Sequence, residues 1–309
     1  MYSEATPMMK LFIFIVVLLV CTAAFSIGGV AFAPLFFGTD AVLAMADEAN
    51  YTQPNVLAVL KFLQIFSQLG IMIIPSLMAG VLFSEGSLAY ISANKDTTGQ
   101  NYLLVFILMF AITPLLNLII QLNANMHLPE ALKAIEKWMQ QSEEQAAKLT
   151  KAFMKMESRG DLLLNLVMVA LLPAIGEEFL FRGVIQNLLS QLTRKKHAAI
   201  IITAVLFSAI HMQFFGFFPR FLLGVLLGYL LVWSGSIWLP VFAHFLNNGM
   251  AVMASWLQQH YKLEMDPDTI GAHPEDWWML VLSGIITLAL LRKLSGNFGK
   301  GIQDFAKAH

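Results

Sequence analysis

The sequence predicts an all-α protein that crosses a membrane with about eight helices, each long enough to span a hydrocarbon core of roughly 30 Å. Of the 309 residues, 58% are hydrophobic and only 13% are charged. The mean hydropathy is +0.68. Because a soluble domain carries roughly 25% charged residues, this composition excludes a soluble enzyme and a disordered chain.

The second observation is the recurrence of apolar runs near the length of about 20 residues that a spanning helix needs. The first run lacks charge and continues past the small-residue pattern Ala31-Phe32-Ala33, which favours a retained helix over a cleaved signal peptide. The apolar runs lie at 11–37, 57–83, 102–121, 161–192, 198–215, 219–236, 239–257 and 277–292.

The chain contains no repeat or Pro/Gly-rich linker, so residues 1–309 are interpreted as a single integral membrane domain. Its parts are three transmembrane helices in 1–121, an extracytoplasmic amphipathic helical loop in 122–160, a polar-residue core in 161–257, and a final transmembrane helix with a basic cytoplasmic tail in 258–309.

The charge distribution predicts the orientation. The formal net charge of -1 gives no basic excess for binding nucleic acid. Basic residues between the apolar runs fall mostly on one side, which predicts that both termini are cytoplasmic. We expect a multi-pass protein of a bacterial cell membrane. The residues behind this orientation are Lys10, Lys95, Arg194, Lys195, Lys196, Arg292, Lys293, Lys300 and Lys307.

The loop 122–160 departs from this pattern because it carries lysines on the side predicted to be outside. Nearly balancing glutamates and helical apolar spacing after Pro129 predict an amphipathic helix on the membrane surface. A lid over a membrane-embedded site is the alternative.

Three charged residues lie within six positions of one apolar run: Glu177, Glu178 and Arg182. Charges inside a bilayer cost roughly 2.5 to 3.5 kcal/mol each on insertion scales and usually mark a functional site. Glu178 and Arg182 are four residues apart on one helix face and are expected to pair. Glu177 points about 100° away, so it is the better candidate for proton transfer.

Two further segments place polar groups in apolar surroundings. His211 follows Phe207 by four residues, and Asn248 follows His244 by four residues, so His244 and Asn248 share a helix face. With a rise of 1.5 Å per residue, Glu177 and His211 come out level at about 21 to 22 Å depth, whereas Asn248 and His244 lie shallower, at about 14 and 8 Å. Taken singly, each histidine also fits a hydrogen-bonded core residue.

These three segments together resemble the CPBP family of intramembrane proteases, also called the CAAX protease and bacteriocin-processing, or Abi, family. The family pattern is Glu-Glu-x-x-x-Arg, Phe-x-x-x-His and His-x-x-x-Asn/Asp, and all three motifs are intact and in order within 170–250. The resemblance implies a helical membrane peptidase acting on a membrane-associated protein or peptide. It marks 161–257 as the catalytic core.

The same resemblance implies the roles of the site residues. Glu177 and His211 would activate water, His244 and Asn248 would form an oxyanion hole, and Glu178 with Arg182 would orient the site and balance its charge. No cofactor is certain. A zinc ion held by Glu177, His211 and His244 stays open beside a glutamate-activated water.

Two other functions remain alternatives. One is a non-catalytic family member acting as a scaffold or immunity-type protein. The other is a proton-coupled transporter in which the buried acids and histidines form a relay.

Overall fold

The computed structural model describes residues 2–84, 86–261 and 269–297, and the regular structure in these ranges is helical. Lys300 and Lys307, which contributed to the predicted orientation, lie outside the described residues, as do 262–268 of the C-terminal part. The long helices are α1 Pro7–Phe37, α2 Pro54–Phe83, α3 Gly99–Ala124, α4 Lys133–Phe153, α5 Arg159–Thr193, α6 Lys196–Ala209, α7 Phe217–Ser234, α8 Trp238–Tyr261 and α9 Trp277–Asn297.

Within the described ranges, six helices are long and apolar enough to cross a membrane. They are α1, α2, α3, α5, α7 with its preceding turn, and α9 with its preceding turn. Helix α6 is a shorter apolar helix of 14 residues, and α8 has 24 residues. The predicted all-α, membrane-spanning bundle is confirmed, whereas the count of eight spans and the orientation stay predictions.

The outer surface of the bundle is apolar. Helix α1 exposes Phe12, Ile27 and Leu35 to 67%, 71% and 76%. A contiguous surface of this kind would drive aggregation in water, but it matches the hydrocarbon of a bilayer. The protein is therefore an integral, multi-pass membrane protein.

Local signals set the ends of the helices around the site. Helix α5 begins with a capping box, in which Ser158 Oγ accepts from the Asp161 N–H and Asp161 accepts from the Ser158 N–H. It ends at Arg194, whose left-handed backbone stops the helix. Helix α7 ends in the same way at Gly235, where glycine accepts a positive φ without strain.

Helix α5 runs through the centre of the bundle and is interrupted by two π-helical turns, Leu166–Leu171 and Phe179–Ile185. Pro173 follows the first turn, and its missing N–H removes one helical hydrogen bond there. Gly176 lets α5 approach α2 closely, since a Cβ at Gly176 would lie 2.8 Å from Met72 Cβ. This approach places the next two residues of α5 inside the bundle.

The predicted loop 122–160 contains helix α4, and a hydrogen bond joins the end of α4 to α5. Asn165 Nδ2 donates to the Phe153 carbonyl over 2.7 Å. At its other end α4 contacts the turn after α6, where the Trp138 and Phe214 rings lie 5.2 Å apart. Helix α4 therefore lies beside the segment that follows His211, and its side of the membrane stays a prediction.

Candidate active site

The centre of the site is a fully buried ion pair within α5. Arg182 Nη1 donates to Glu178 Oε1 over 2.8 Å, and both side chains are 0% exposed. Arg182 Nη2 also donates to the Gly224 carbonyl of α7 over 3.1 Å. Gly224 permits this contact because α7 packs there against Ala204, only 3.1 Å from where a Cβ would stand. The pairing of residues four apart, predicted from helix geometry, is present.

Phe207 of α6 joins the ion pair to the two histidines. The Arg182 guanidinium lies over the Phe207 ring, 4.5 Å from its centroid, where the negative face of the ring attracts a cation. The rings of His211 and His244 both meet Phe207 edge to face, with centroids 5.2 and 5.8 Å away. Phe207 thus packs against three of the predicted site residues at once, which gives the Phe-x-x-x-His motif a physical role.

His244 of α8 is oriented by the buried carboxylate. Its Nδ1 lies 2.8 Å from Glu178 Oε1, and the ring is 3% exposed. Because Glu178 Oε1 already accepts from Arg182, the hydrogen of this bond belongs to His244 Nδ1. The other nitrogen, His244 Nε2, faces Glu177 Oε2 at 3.8 Å.

His211 approaches the same carboxylate from the turn that directly follows α6. Its Nδ1 donates to the Phe207 carbonyl over 2.8 Å, and a carbonyl can only accept. The neutral ring therefore carries its lone pair on Nε2, which lies 4.0 Å from Glu177 Oε2. The side chain of His211 is 26% exposed, so one edge of the site is open.

Glu177 lies between the two imidazoles and makes no pair with Arg182 among the ion pairs of the described residues. Its Oε2 atom is buried without a hydrogen-bond partner in the described structure. An unpartnered carboxylate oxygen flanked by two Nε2 atoms is the feature that most needs a functional explanation. The structure brings Glu177, His211 and His244 together, as the sequence predicted.

Asn248 lies one turn after His244 on α8. Its Nδ2 donates to the Val169 carbonyl in the first π-helical turn of α5 over 3.3 Å, and its Oδ1 accepts from Asn247. The long Nδ2 bond leaves the second amide hydrogen available for another acceptor. Its predicted oxyanion role stays a prediction.

The zinc alternative was tested against the side chains present. In the part of the chain that the structure describes, no group of three or more His, Cys, Asp or Glu side chains is arranged to hold a metal ion. Glu177, His211 and His244 do not fit such a site, so no step below is derived through a metal.

Arg220 is a residue that the sequence reasoning missed. It lies on α7 and interacts electrostatically with both His211 and Glu177. Its guanidinium donates to the backbone carbonyl and to the side-chain oxygen of Gln213, in the turn after His211. The sequence signal that could have identified it is a single arginine within an aromatic stretch.

Part of this chain is similar to known proteins. Residues 159–250 match the family model described as type II CAAX prenyl endopeptidase Rce1-like. The resemblance predicted from the three motifs is confirmed. The Rce1-like segment begins at the first residue of α5 and ends within α8, so it contains all six site residues predicted from the sequence.

One relative is an uncharacterized protein, YpbD, of Bacillus subtilis (strain 168). It is 29% identical over 86 residues, which cover 26% of this chain and 41% of the relative. The similarity thus spans less than half of the relative's length. No solved structure matches the chain at a significant level.

Proposed function

We propose that this protein is an intramembrane endopeptidase that hydrolyses a peptide bond of a membrane-associated or lipid-modified substrate. The Rce1-like segment supports a CAAX-type endopeptidase at the level of the family. The observation that carries the proposal is the buried, unpartnered Glu177 Oε2, with His244 Nε2 at 3.8 Å and His211 Nε2 at 4.0 Å.

In the proposed reaction, Glu177 acts as a general base. These separations are too long for direct hydrogen bonds but suit a water molecule held by Glu177 and His211 together. Glu177 takes a proton from the water, whose oxygen forms a bond to the scissile carbonyl carbon. When the carbon–nitrogen bond breaks, Glu177 passes this proton to the leaving nitrogen, and the products are a carboxylic acid, which keeps the second hydrogen of the water, and an amine.

The tautomers support different roles for the two histidines. Neutral His211 carries its lone pair on Nε2, so it can accept a hydrogen bond from the water. His244 holds a hydrogen on Nδ1 against Glu178, so it can donate from Nε2 only as an imidazolium. With His244 charged, two carboxylates face two cations, and His244 and Asn248 donate to the developing oxyanion.

The fixed pair of Glu178 and Arg182 serves this arrangement without touching the substrate. Glu178 stabilises the imidazolium of His244, while Arg182 compensates Glu178 and ties α5 to α7 through Gly224. Because these side chains are buried, their interactions are strong, and the side chains do not need to reorganise during the reaction.

A groove on the same helices supports a membrane-embedded substrate. This groove of about 410 Å³ is lined mainly by apolar side chains of α5 and α8. Ile175 lies two residues before Glu177, and Phe245 directly follows His244. An apolar segment or lipid chain lying in this groove would stay within the bilayer, against the two helices that carry Glu177 and His244.

The experiment uses the purified full-length protein in liposomes with peptides ending in a prenylated or unprenylated Cys-aliphatic-aliphatic-X sequence. Mass spectrometry identifies a new carboxylate and amine. His211→Ala is expected to lower the rate about 10²- to 10⁴-fold. His197→Ala is the matched control, because His197 lies on α6, the helix that leads to His211, and contacts Tyr229 rather than the site. Cleavage at the wild-type rate by His211→Ala would contradict the proposal.

A further inference from the structure

A second cavity lies away from the candidate active site, where α4 ends beside the start of α2 and the end of α8. Its volume is about 720 Å³, within the roughly 300 to 1,000 Å³ typical of ligand pockets. Most of its lining surface is apolar. The lining side chains that define this α4 cavity are Tyr51, Leu57, Ala152, Met154, Ser255 and Gln259, with Lys148, Lys151, Lys155, Glu48 and Thr52.

Hydrogen bonds between α8 and the end of α4 fix the wall of the cavity. Gln259 of α8 donates to the Met154 carbonyl over 2.8 Å and accepts from the Met156 N–H over 3.1 Å. Gln259 also donates to Ser255 Oγ over 2.9 Å. A cavity formed in advance avoids the entropic cost of ordering its wall when a ligand binds.

The charge of the α4 cavity selects an anion. The lining holds three lysines and one glutamate, and a second glutamate pairs with one of these lysines from outside the lining, so one positive charge remains in excess. Lys148 pairs with Glu48 over 3.0 Å, and Lys155 pairs with Glu157 over 2.8 Å. Lys151 has no ion pair among the described residues. Both existing pairs are largely exposed, so each is weak and exchangeable for another anion.

The helix ends around the cavity indicate that it lies at the level of a membrane surface. Leu57 is in the first turn of the spanning helix α2, and Lys155 lies four residues before the spanning helix α5. Gln259 is in the last turn of α8. An occupant would therefore meet the headgroup region with its polar end and hydrocarbon with its apolar end.

We propose that the α4 cavity binds an anionic phospholipid from the bilayer. The phosphate lies against Lys148, Lys151 and Lys155, and the glycerol and upper acyl chain lie against the apolar wall. This site is separate from Glu177 and its partners and does not depend on the proposed peptidase activity.

The test measures lipid retention by native mass spectrometry of the full-length protein released from bicelles. Phosphatidylglycerol is compared with phosphatidylcholine of the same acyl chains, and inorganic phosphate is added as a competitor. Lys151→Gln is expected to weaken phosphatidylglycerol retention about fivefold, the effect of removing one lysine near an anionic headgroup. Lys151→Arg keeps the charge and is expected to retain the lipid.

The matched control is Lys137→Gln, because Lys137 is an exposed lysine of the same helix α4 that does not line the cavity. A second variant, Thr52→Trp, fills the cavity at an exposed position and is expected to reduce retention while all charges stay.

Three results would overturn the proposal. Equal retention of phosphatidylglycerol and phosphatidylcholine would show that charge does not select the occupant. Equal losses in Lys137→Gln and Lys151→Gln would show a general charge effect. Displacement of the lipid by millimolar inorganic phosphate would identify a free phosphate site.

Discussion

Removing the buried arginine should destabilise the protein strongly. Arg182→Met leaves Glu178 fully buried with His244 as its remaining partner, and Glu178 Oε2 already lacks one. Breaking a buried ion pair by removing one partner costs about 3 to 5 kcal/mol. The lost bond to Gly224 lies within this range and is not added to it, because contacts of one side chain are not additive.

The double variant Arg182→Met with Glu178→Gln separates this explanation from a packing defect. Replacing both charges removes the buried carboxylate that has lost its arginine, so we expect most of the lost stability to return. Lys133→Met is the surface control, since Lys133 and Glu130 form a pair with side chains 71% and 86% exposed. Its expected cost is below about 1 kcal/mol.

The assay is reversible unfolding in mixed micelles, followed by near-ultraviolet circular dichroism. A loss below 1 kcal/mol in Arg182→Met would refute the reasoning. A double variant as unstable as the single one would also refute it, because the cost would then come from lost packing.

Three further predictions address the surroundings of the site. Arg220→Gln removes the charged hydrogen bonds that hold Gln213 and the turn after His211, and a charged hydrogen bond contributes about 1.5 to 3 kcal/mol. We therefore expect kcat to fall roughly tenfold. An unchanged kcat would contradict this role of Arg220. Exhaustive dialysis against a chelator should leave cleavage unchanged. A loss of cleavage that added zinc restores would show that the site holds a metal ion. The Tyr102 hydroxyl holds the pKa of the Asp96 carboxyl below its ordinary 3.8. The ionised Asp96 carboxyl therefore stabilises the folded protein fully above pH 3.8, and this stabilisation is lost as the pH falls through the lowered pKa. Tyr102→Phe should raise that pKa in a carbon-13 titration, and an unchanged midpoint would contradict the assignment.

Local helix geometry was enough to predict part of the site. The spacing of Glu178 and Arg182 predicted their pairing, and the 100° offset of Glu177 predicted that it would face elsewhere. Both follow from positions on one helix, so no knowledge of neighbouring helices was needed.

The depth calculation placed His244 shallower than Glu177 because it counted α8 from the membrane surface. Instead, Ile237 and Leu239 are 0% exposed, and Ser236 Oγ donates to the Lys95 carbonyl over 2.8 Å. The helix therefore begins inside the protein, which brings His244 to the level of Glu177.

Other features needed the tertiary structure. Apolar periodicity cannot distinguish a π-helical turn from an α-helical one, so the turns in α5 were not predicted. The apolar run 198–215 continues past Ala209, but the helix ends there, and Met212 adopts a positive φ of 52°. After this break, Arg220 of α7 donates hydrogen bonds to Gln213, in the turn after His211, and such a contact cannot be predicted from one helix alone.

The central claim is that Glu177 acts as the base for the attacking water, and its most direct test is the cleavage rate of Glu177→Gln. Glutamine keeps the size of the side chain but removes the proton acceptor, so kcat is expected to fall about 10²- to 10⁴-fold with substrate binding retained. Glu157→Gln, at an exposed glutamate outside the site, should cleave at the wild-type rate. A Glu177→Gln protein that is folded and cleaves within tenfold of the wild-type rate would contradict the account.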